Sequence, residues 1–313
     1  STSSRDDLLK HPLPPATTSS RIHFLPHPQR FGTKLTPSAS NPYLWQPEVS
    51  SVAEMSHAGS EASSPETAPR TDADIPNRWL DGIAVPDVVR GLACGRPVEP
   101  VWRNEIGGVT FSIDDGAEYV KYGPPHAEFD PDAEFERLRW VSAYVEAPRP
   151  IDHGADAAGN RWLRTAGIAA TSAVLGGWRE QPALVVPELG RGLRLFHDRV
   201  PVRGCPWTWS VSSRLRERGL PEQALGPWPE LDPVVCHGDA CNPNFLLNRD
   251  GLCVAYVDLG RLGVGDRWAD LAPALLSLGC NFGPGREHAS LAGYGIARDP
   301  AKQDFYTRLW NAE

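Results

Sequence analysis

The sequence predicts an α+β fold with two lobes, a small antiparallel sheet lobe followed by a larger, mainly helical lobe. A chain of 313 residues has room for roughly two domains or lobes of ordinary size. Short strand-like runs, mixed with helical patterns, begin after Trp79, and the second half of the chain is mostly helical in pattern. We therefore predict a first lobe over residues 77–166 and a second over residues 167–313.

Residues 1–76 precede both lobes and are predicted to be a disordered extension. Eleven of the 31 prolines fall there, among many serines and threonines and without apolar periodicity. Such a segment buries too little apolar surface to offset its ordering entropy. Met55 is the only methionine of the chain, so we expect a native start near it. A transit peptide and a regulatory tail are the alternatives.

The composition excludes some classes of protein. Hydrophobic residues make up 41% of the chain, but the sequence contains no run of 18 apolar residues, the length needed to span a membrane. The net charge of -8 argues against a nucleic-acid partner and permits a cationic ligand. The six cysteines form no CxxC pair and no secretory signal is recognisable, which favours a cytoplasmic setting. No obligate protein partner is indicated.

Two strands of the sheet lobe are predicted to be joined by a hairpin turn. Apolar residues mark runs at 111–113 and 119–120, and Asp114-Asp115-Gly116 lies between them. A glycine-containing turn of this length is typical of a hairpin. Lys121 follows at the end of the second run.

A helix and a further strand complete this lobe. Asp130-Pro131 has the residue types of a helix start, and Glu134 lies beside the apolar stripe that follows. A strand is predicted over residues 161–165. The stripe recurs at spacings of three to four residues and comprises Phe135, Leu138, Val141 and Val145.

The helical lobe contains a second predicted hairpin, which carries the most informative residues. Its strands cover residues 245–247 and 254–257, and residues 248–251 supply the turn. Folding the chain back there brings Asn244 and Asp258 to the same end of the hairpin. An amide oxygen and a carboxylate suit Mg²⁺ when substrate phosphates complete its coordination. The hairpin therefore predicts a magnesium site.

Asp239 lies five residues before Asn244 and can face the same pocket, which makes it a candidate base. Taken alone, each of these residues has an ordinary structural explanation, because Asp-Gly pairs and single histidines are common in loops. His237 is interpreted as a hydrogen-bonded histidine that fixes the loop, and Asp270 as an anchor of that loop or of its own helix. A zinc site made of Cys236, His237 and Cys241 fits no common ligand spacing.

The motifs His237–Asn244, Val257–Arg261 and Asp266–Ala272 together resemble the aminoglycoside 3'-phosphotransferase family. The resemblance extends over roughly residues 79–313 and includes the segment Glu134–Trp140. It implies a protein-kinase-like fold and an enzyme that uses ATP.

The resemblance also implies roles for individual residues. Asp239 would orient the acceptor hydroxyl and take its proton, Asn244 and Asp258 would hold Mg²⁺, and Lys121 paired with Glu134 would bind the ATP phosphates. In such a reaction the protein mainly supplies alignment and charge neutralisation.

Three further parts of the site follow from the same resemblance. Gly107 and Gly108 would lie in a phosphate-covering loop between the first two strands, although two glycines also suit an ordinary hairpin turn. The adenine would lie against the connector near residues 165–169. The candidates for substrate binding are Arg261, Asn242 and Glu313.

The expected function is the ATP-dependent phosphorylation of an aminoglycoside hydroxyl, with the 3'-hydroxyl preferred, which would confer antibiotic resistance. One alternative is a kinase of the same fold that acts on another small amino-alcohol or sugar. A second alternative, of a different class, is a catalytically silent nucleotide-binding protein. The joint presence of Lys121, Asp239, Asn244 and Asp258 argues against the silent protein.

Overall fold

The computed structural model of the chain describes Leu80 and residues 82–104 and 106–312. The predicted extension over residues 1–76, including the expected start near Met55, lies outside the described residues, as does Glu313. The described helices are α1 (Asp87–Ala93), α2 (Pro131–Val141), α3 (Pro182–Arg199), α4 (Val211–Glu217), α5 (Trp268–Phe282), α6 (Glu287–Tyr294) and α7 (Pro300–Trp310).

The first part of the described chain forms a five-stranded antiparallel sheet in the order β1-β2-β3-β5-β4. The hairpin predicted around Asp114 and Asp115 is confirmed, and both aspartates have a positive φ, as a tight hairpin turn requires. The strands are β1 (Val98–Arg103), β2 (Val109–Ile113), β3 (Glu118–Gly123), β4 (Pro150–Ala155) and β5 (Arg161–Ala166).

The second part is mainly helical and carries short strands, in agreement with the predicted α+β class. The strands are β6 (Thr171–Ser172), β7 (Pro233–Cys236), β8 (Phe245–Leu247), β9 (Cys253–Tyr256) and β10 (Gly263–Asp266). Strands β8 and β9 form the predicted hairpin, although β9 begins and ends one residue earlier than expected. Strand β7 pairs with β10, which was not predicted. The lobe boundary after Ala166, where β5 ends, stays a prediction.

Two hydrophobic clusters lie in these parts. The smaller one joins α1 to the sheet, with Phe111, Ile113 and Val120 in its centre. The larger one fills the helical part and also takes in Leu138 and Val141 of α2. Helix α2 therefore packs into the core of the helical part, although it follows the sheet strands in sequence.

Helix α2 begins as its sequence predicts and ends earlier than its apolar stripe does. Asp130 caps the first turn, because its side chain accepts a hydrogen bond from the Ala133 amide, and Pro131 takes the first helical position. The helix ends at Val141, so Val145 is buried beyond it, after a short turn. None of the helices in the described ranges is long and apolar enough to cross a membrane.

Candidate active site

Lys121 of β3 is held between two carboxylates that come from distant parts of the chain. Its Nζ lies 2.7 Å from Glu134 Oε1 on α2 and 3.1 Å from Asp258 Oδ1, two residues after the end of β9. Glu134 is almost fully buried, whereas the Asp258 side chain is 49% exposed. The structure thus joins the sheet, helix α2 and the β8–β9 hairpin at one ammonium group.

The charges in this cluster shift one another's pKa values. Desolvation alone would lower the pKa of Lys121, but the two carboxylates outweigh it and raise the pKa above its ordinary value. Burial raises the pKa of Glu134 despite the lysine. Desolvation would also raise the pKa of Asp258, yet the Lys121 charge prevails and lowers it. Lysine and Asp258 are therefore both charged at neutral pH.

The loop between β7 and β8 carries Asp239 toward this cluster. Asn244 donates from its Nδ2 to the Asp239 carbonyl at 3.0 Å. The carbonyl of Asn244 accepts from the Val257 amide at 3.0 Å, which closes the base of the hairpin. Asn244 and Asp258 therefore lie at the same end of the β8–β9 hairpin, where the sequence predicted them to meet.

Burial and a nearby charge shift the pKa of the Asp239 carboxyl. Its Oδ1 is buried and accepts no hydrogen bond from the described residues. Desolvation, followed by the nearby negative charge of Asp258, raises the pKa of Asp239 to about 6. A carboxyl with this pKa is charged at neutral pH but remains a better proton acceptor than an exposed aspartate.

Asp270 of α5 holds the loop from below. It is fully buried and accepts from the His237 amide at 2.6 Å and from the Gly238 amide at 3.0 Å. His197 of α3 supplies a third contact at 2.9 Å, and Tyr294 of α6 contacts the other ring nitrogen of His197 at 2.7 Å. The role of loop anchor expected for Asp270 agrees with these contacts.

His197 and Tyr294 were not predicted as parts of the site. In the sequence, His197 is only one position at the end of an amphipathic helix, and no spacing links it to Asp270. His237 is also buried, and burial lowers the pKa of its imidazole. Its Nδ1 accepts from the Asp239 amide at 3.3 Å, and the loop-fixing role expected for His237 stays a prediction.

Two backbone positions in the site have left-handed conformations. Gly238 has a φ of 87°, and a Cβ at this position would come within 2.3 Å of the Arg261 carbonyl oxygen. Only glycine fits there. Asp258 has a φ of 63°, which is uncommon for a residue with a side chain and typical of functional sites.

The glycine loop between β1 and β2 stands where the sequence placed it. Gly107 has a φ of 84°, and the Gly108 amide donates to the Asn104 side chain at 2.6 Å. A Cβ at Gly108 would lie 2.8 Å from Asn104 Nδ2, and a Cβ at Gly123 of β3 would lie 2.9 Å from Gly108 Cα. The loop therefore packs closely over β3, the strand of Lys121.

The candidates for substrate binding are placed differently. Arg261 is partly exposed, and its Nη2 lies 3.4 Å from Glu128 and 3.8 Å from Glu217 of α4. Asn242 is only 1% exposed, and its Nδ2 donates to the Ala274 carbonyl of α5 at 3.3 Å. The structure therefore turns Asn242 into the interior and does not bring it to the cluster.

The zinc alternative receives no support. Among the described residues, no group of three or more His, Cys, Asp and Glu side chains could hold a metal ion. Burial raises the pKa of the Cys236 and Cys241 thiols, which disfavours the thiolates that zinc requires.

Comparisons with known proteins agree with this arrangement. The chain is 31% identical to the aminoglycoside 3'-phosphotransferase of Streptomyces fradiae, over 62% of this chain and 83% of that protein. It is 32% identical to the streptomycin 3''-kinase of Streptomyces griseus, over 67% of this chain and 89% of that protein.

Solved structures with the same fold include an aminoglycoside-3'-phosphotransferase of type VIII. It superposes with a TM-score of 0.61 at 26% identity and covers 72% of this chain and 98% of its own. The aminoglycoside phosphotransferase APH(3'')-Id from Streptomyces rimosus, in complex with ADP and streptomycin, superposes with a TM-score of 0.52 at 26% identity, over 66% and 92% of the two chains. The predicted kinase-like α+β fold is confirmed.

A family model supplies the last comparison. The model of the phosphotransferase enzyme family matches residues 110–306, which include Lys121, Asp239, Asn244 and Asp258. This range covers most of the described chain. The chain belongs to the phosphotransferase enzyme family.

Proposed function

We propose that the protein transfers the γ-phosphoryl group of ATP to a hydroxyl of an aminoglycoside. The observation that carries this proposal is the position of Asp239. Its Oδ1 is buried and accepts no hydrogen bond from the described residues, and its carboxylate lies within electrostatic reach of Asp258, which in turn contacts Lys121. A proton acceptor beside an ammonium group and two carboxylates is the equipment that phosphoryl transfer to an alcohol needs.

Each side chain would have one task in this reaction. Lys121 would bind the ATP phosphates, and Glu134 would hold its ammonium group at the observed 2.7 Å. Asp239 would orient the attacking hydroxyl and accept its proton. The glycine loop with Gly107 and Gly108 would cover the phosphates from the side of the sheet.

The donor set fits a magnesium ion. Asn244 uses its Nδ2 for the bond to the Asp239 carbonyl, so its amide oxygen is the group left for a cation. The Asp258 carboxylate is half exposed and charged. Two protein oxygens plus substrate phosphates match the preference of Mg²⁺. When bound, the ion would neutralise charge on the phosphates.

The class of acceptor is inferred from charge and from the relatives. The acidic chain, with a net charge of -8, permits a polycationic substrate. The relative from Streptomyces fradiae is named for the 3'-hydroxyl, which is our leading position. The 3''-hydroxyl of streptomycin is the second candidate, because the relative from Streptomyces griseus and APH(3'')-Id are named for that position. In this proposal Arg261 lies on the side of the site that binds the aminoglycoside. The reaction is expected to take place in the cytoplasm.

A substrate panel tests the proposal. Purified protein is incubated with ATP, Mg²⁺ and, separately, kanamycin, an analogue that lacks the 3'-hydroxyl, and streptomycin, and the products are identified by mass spectrometry. We expect phosphorylation of at least one drug. Phosphorylation of kanamycin but not of its deoxy analogue indicates the 3'-position, and phosphorylation of streptomycin alone indicates the 3''-position. Asp239→Asn serves as the control for contaminating kinases, and turnover of none of the drugs would contradict the proposal.

A further inference from the structure

Helix α2 carries Glu134, yet its apolar face belongs to the core of the helical part. Leu138 and Val141 are buried in the large cluster there. Strand β3, which carries Lys121, contributes Val120 to the smaller cluster of the sheet. Glu134 and Lys121 therefore meet from two separate cores, and their contact depends on where α2 is held.

Arg137, almost one turn after Glu134, links α2 to the segment that follows β9. Its Nε donates to the Leu262 carbonyl at 3.0 Å. Its guanidinium carbon also lies 5.1 Å from the centre of the Trp207 ring, within the range of a cation–π contact. Trp140 of the same helix meets the Trp207 ring edge to face at 5.7 Å. Arg137 and Trp140 thus hold α2 against one indole.

Backbone hydrogen bonds hold Trp207 in place. Its carbonyl accepts from the Val264 amide of β10 at 2.9 Å, and the next bond in the ladder joins the Trp209 amide to the Val264 carbonyl at 2.8 Å. The segment with Trp207 is thereby fixed to β10, and β10 pairs with β7, the strand that leads into the Asp239 loop.

The other end of the Arg137 bond lies in the turn that begins at Asp258. Within this turn the Leu262 amide donates to the Leu259 carbonyl at 3.1 Å. The turn also packs directly on α2, because a Cβ at Gly260 would lie 3.5 Å from Glu134 Cβ. Arg137 therefore connects α2, which carries Glu134, to the turn that begins at Asp258.

We propose that Arg137 is a positioning residue that fixes the two carboxylates on either side of Lys121. A guanidinium group suits this task, because it donates in a fixed plane and stacks on an aromatic face at the same time. The ammonium group of a lysine at position 137 could do only part of this. The inference rests on the proposed function, since Lys121 matters here as the group that binds nucleotide phosphates.

Affinity for ADP in the presence of Mg²⁺, measured by isothermal titration calorimetry, tests the inference without any aminoglycoside. We expect Arg137→Met to bind ADP about 10-fold more weakly than wild type, within the range that misplacement of a binding group produces. Arg139→Met is the matched control on the same helix, because Arg139 is 62% exposed and its only ion pair among the described residues is with Glu136. It should change the Kd less than about 2-fold.

Arg137→Lys should restore part of the affinity that Arg137→Met loses. The decisive step is a double-mutant cycle with Glu134→Gln. If Arg137 acts through Glu134, Arg137→Met should weaken ADP binding less than about 2-fold in the Glu134→Gln background, because residues that act as a unit are not additive. The melting temperature of every variant is recorded beside its Kd.

Three results would overturn the inference. One is an unchanged Kd of Arg137→Met, even with a lower melting temperature, since that would leave only a structural role. Another is a full 10-fold effect, of about the size expected for the single variant, in the Glu134→Gln background. The third is a wild-type protein that binds no ADP, which would remove the proposed nucleotide site as well. The first two results leave the proposed function intact, and only the third contradicts it.

Discussion

The loop that carries Asp239 and the loop that carries Gly108 are fastened in opposite ways. The first rests on the buried carboxylate of Asp270, which also contacts His197 of another helix. The second is held by its own Asn104, in a partly exposed hairpin. In the proposed reaction, the group that accepts the proton is thus placed by the core, whereas the loop that would cover the phosphates is closed by its own side chain, packs on β3 and can adapt more readily.

The largest effect is expected at Asp239, in the loop that Asp270 holds, which we call the rigid loop. Asp239→Asn should lower kcat by about 100-fold or more, because the amide cannot take the proton of the hydroxyl. The melting temperature at pH 8 should not fall, since burial already disfavours the charged form of Asp239. Steady-state kinetics with an accepted drug check this. Asp250→Asn, in the exposed hairpin turn, is the control, and more than a tenth of wild-type turnover in Asp239→Asn would exclude the base.

The anchor itself gives the next largest effect. Asp270→Ala would leave two buried amides and His197 without an acceptor, so we expect a loss of about 3–5 kcal/mol in the free energy of unfolding together with a lower kcat. Asp266 offers a matched control, because it is equally buried and bonds Lys302 and the Trp268 amide. Asp266→Ala should destabilise the protein similarly.

Urea denaturation and kcat of the folded protein separate the two variants. Only Asp270→Ala should lose activity beyond its loss of folded protein, because the Asp266 side chain makes no hydrogen bond to the Asp239 loop among the described residues. Equal losses of kcat in both variants would show that the loop is not positioned by Asp270 in particular.

The pH dependence of kcat is the third test of the rigid loop. Asp239 must be charged to accept a proton, and its pKa is raised to about 6. Activity should therefore rise with pH through about 6 and fall about 10-fold per unit below it. Because the charge of Asp258 contributes to the shift, Asp258→Asn should lower the pKa of Asp239, which carbon NMR of the carboxyl can follow. A profile that is flat from pH 5 to 8 would contradict this assignment.

The glycine loop should respond more mildly. In Gly108→Ala the new methyl group would press on the Asn104 side chain and loosen the bond that closes the loop. We expect the KM for ATP to rise about 3-fold to 10-fold, the scale of one lost hydrogen bond, with kcat almost unchanged. Gly91→Ala of α1 is the control, since a Cβ there meets no described atom within 4 Å beyond its own helix backbone and chain neighbours. A loss confined to kcat would mean that this loop, too, is part of the rigid frame.

The smallest effect is expected outside both loops. Removal of residues 1–54 should leave activity and melting temperature unchanged, because this segment has no apolar stripe to pack on the body of the protein. Calorimetry and kinetics of the shortened protein check this. A melting temperature lower by about 2–4 °C, the scale of 1 kcal/mol in a protein of this size, would show a docked segment.

Local chemistry in the sequence accounts for the elements that were predicted correctly. The hairpin at Asp114-Asp115-Gly116, the cap at Asp130 and the hairpin that joins Asn244 to Asp258 each depend on residues within a few positions of one another. These signals also placed the most informative site residues, because the ends of a hairpin must meet.

Contacts between distant elements could not be predicted. His197 reaches Asp270 across 73 residues, and nothing in the spacing of either helix announces that contact. The buried position of Asn242, a predicted substrate contact, was not foreseen for a related reason. Its position in the motif suggested a contact with the substrate, but packing against α5 turns its side chain inward. Such choices are made by tertiary packing, which local patterns do not encode.

The attachment of α2 to the helical part also limits how the site can be blocked. In protein kinases the position of the helix that carries the glutamate controls whether the lysine–glutamate pair forms, so an outward movement of this helix breaks the pair. Here the same movement would expose Leu138 and Val141 and strip Trp207 of its two partners on α2, Arg137 and Trp140. Exposing two buried aliphatic side chains alone costs about 3 kcal/mol or more. An inhibitor that needs the outward helix would lose at least that much affinity, so compounds that fit the inward helix are the better starting point.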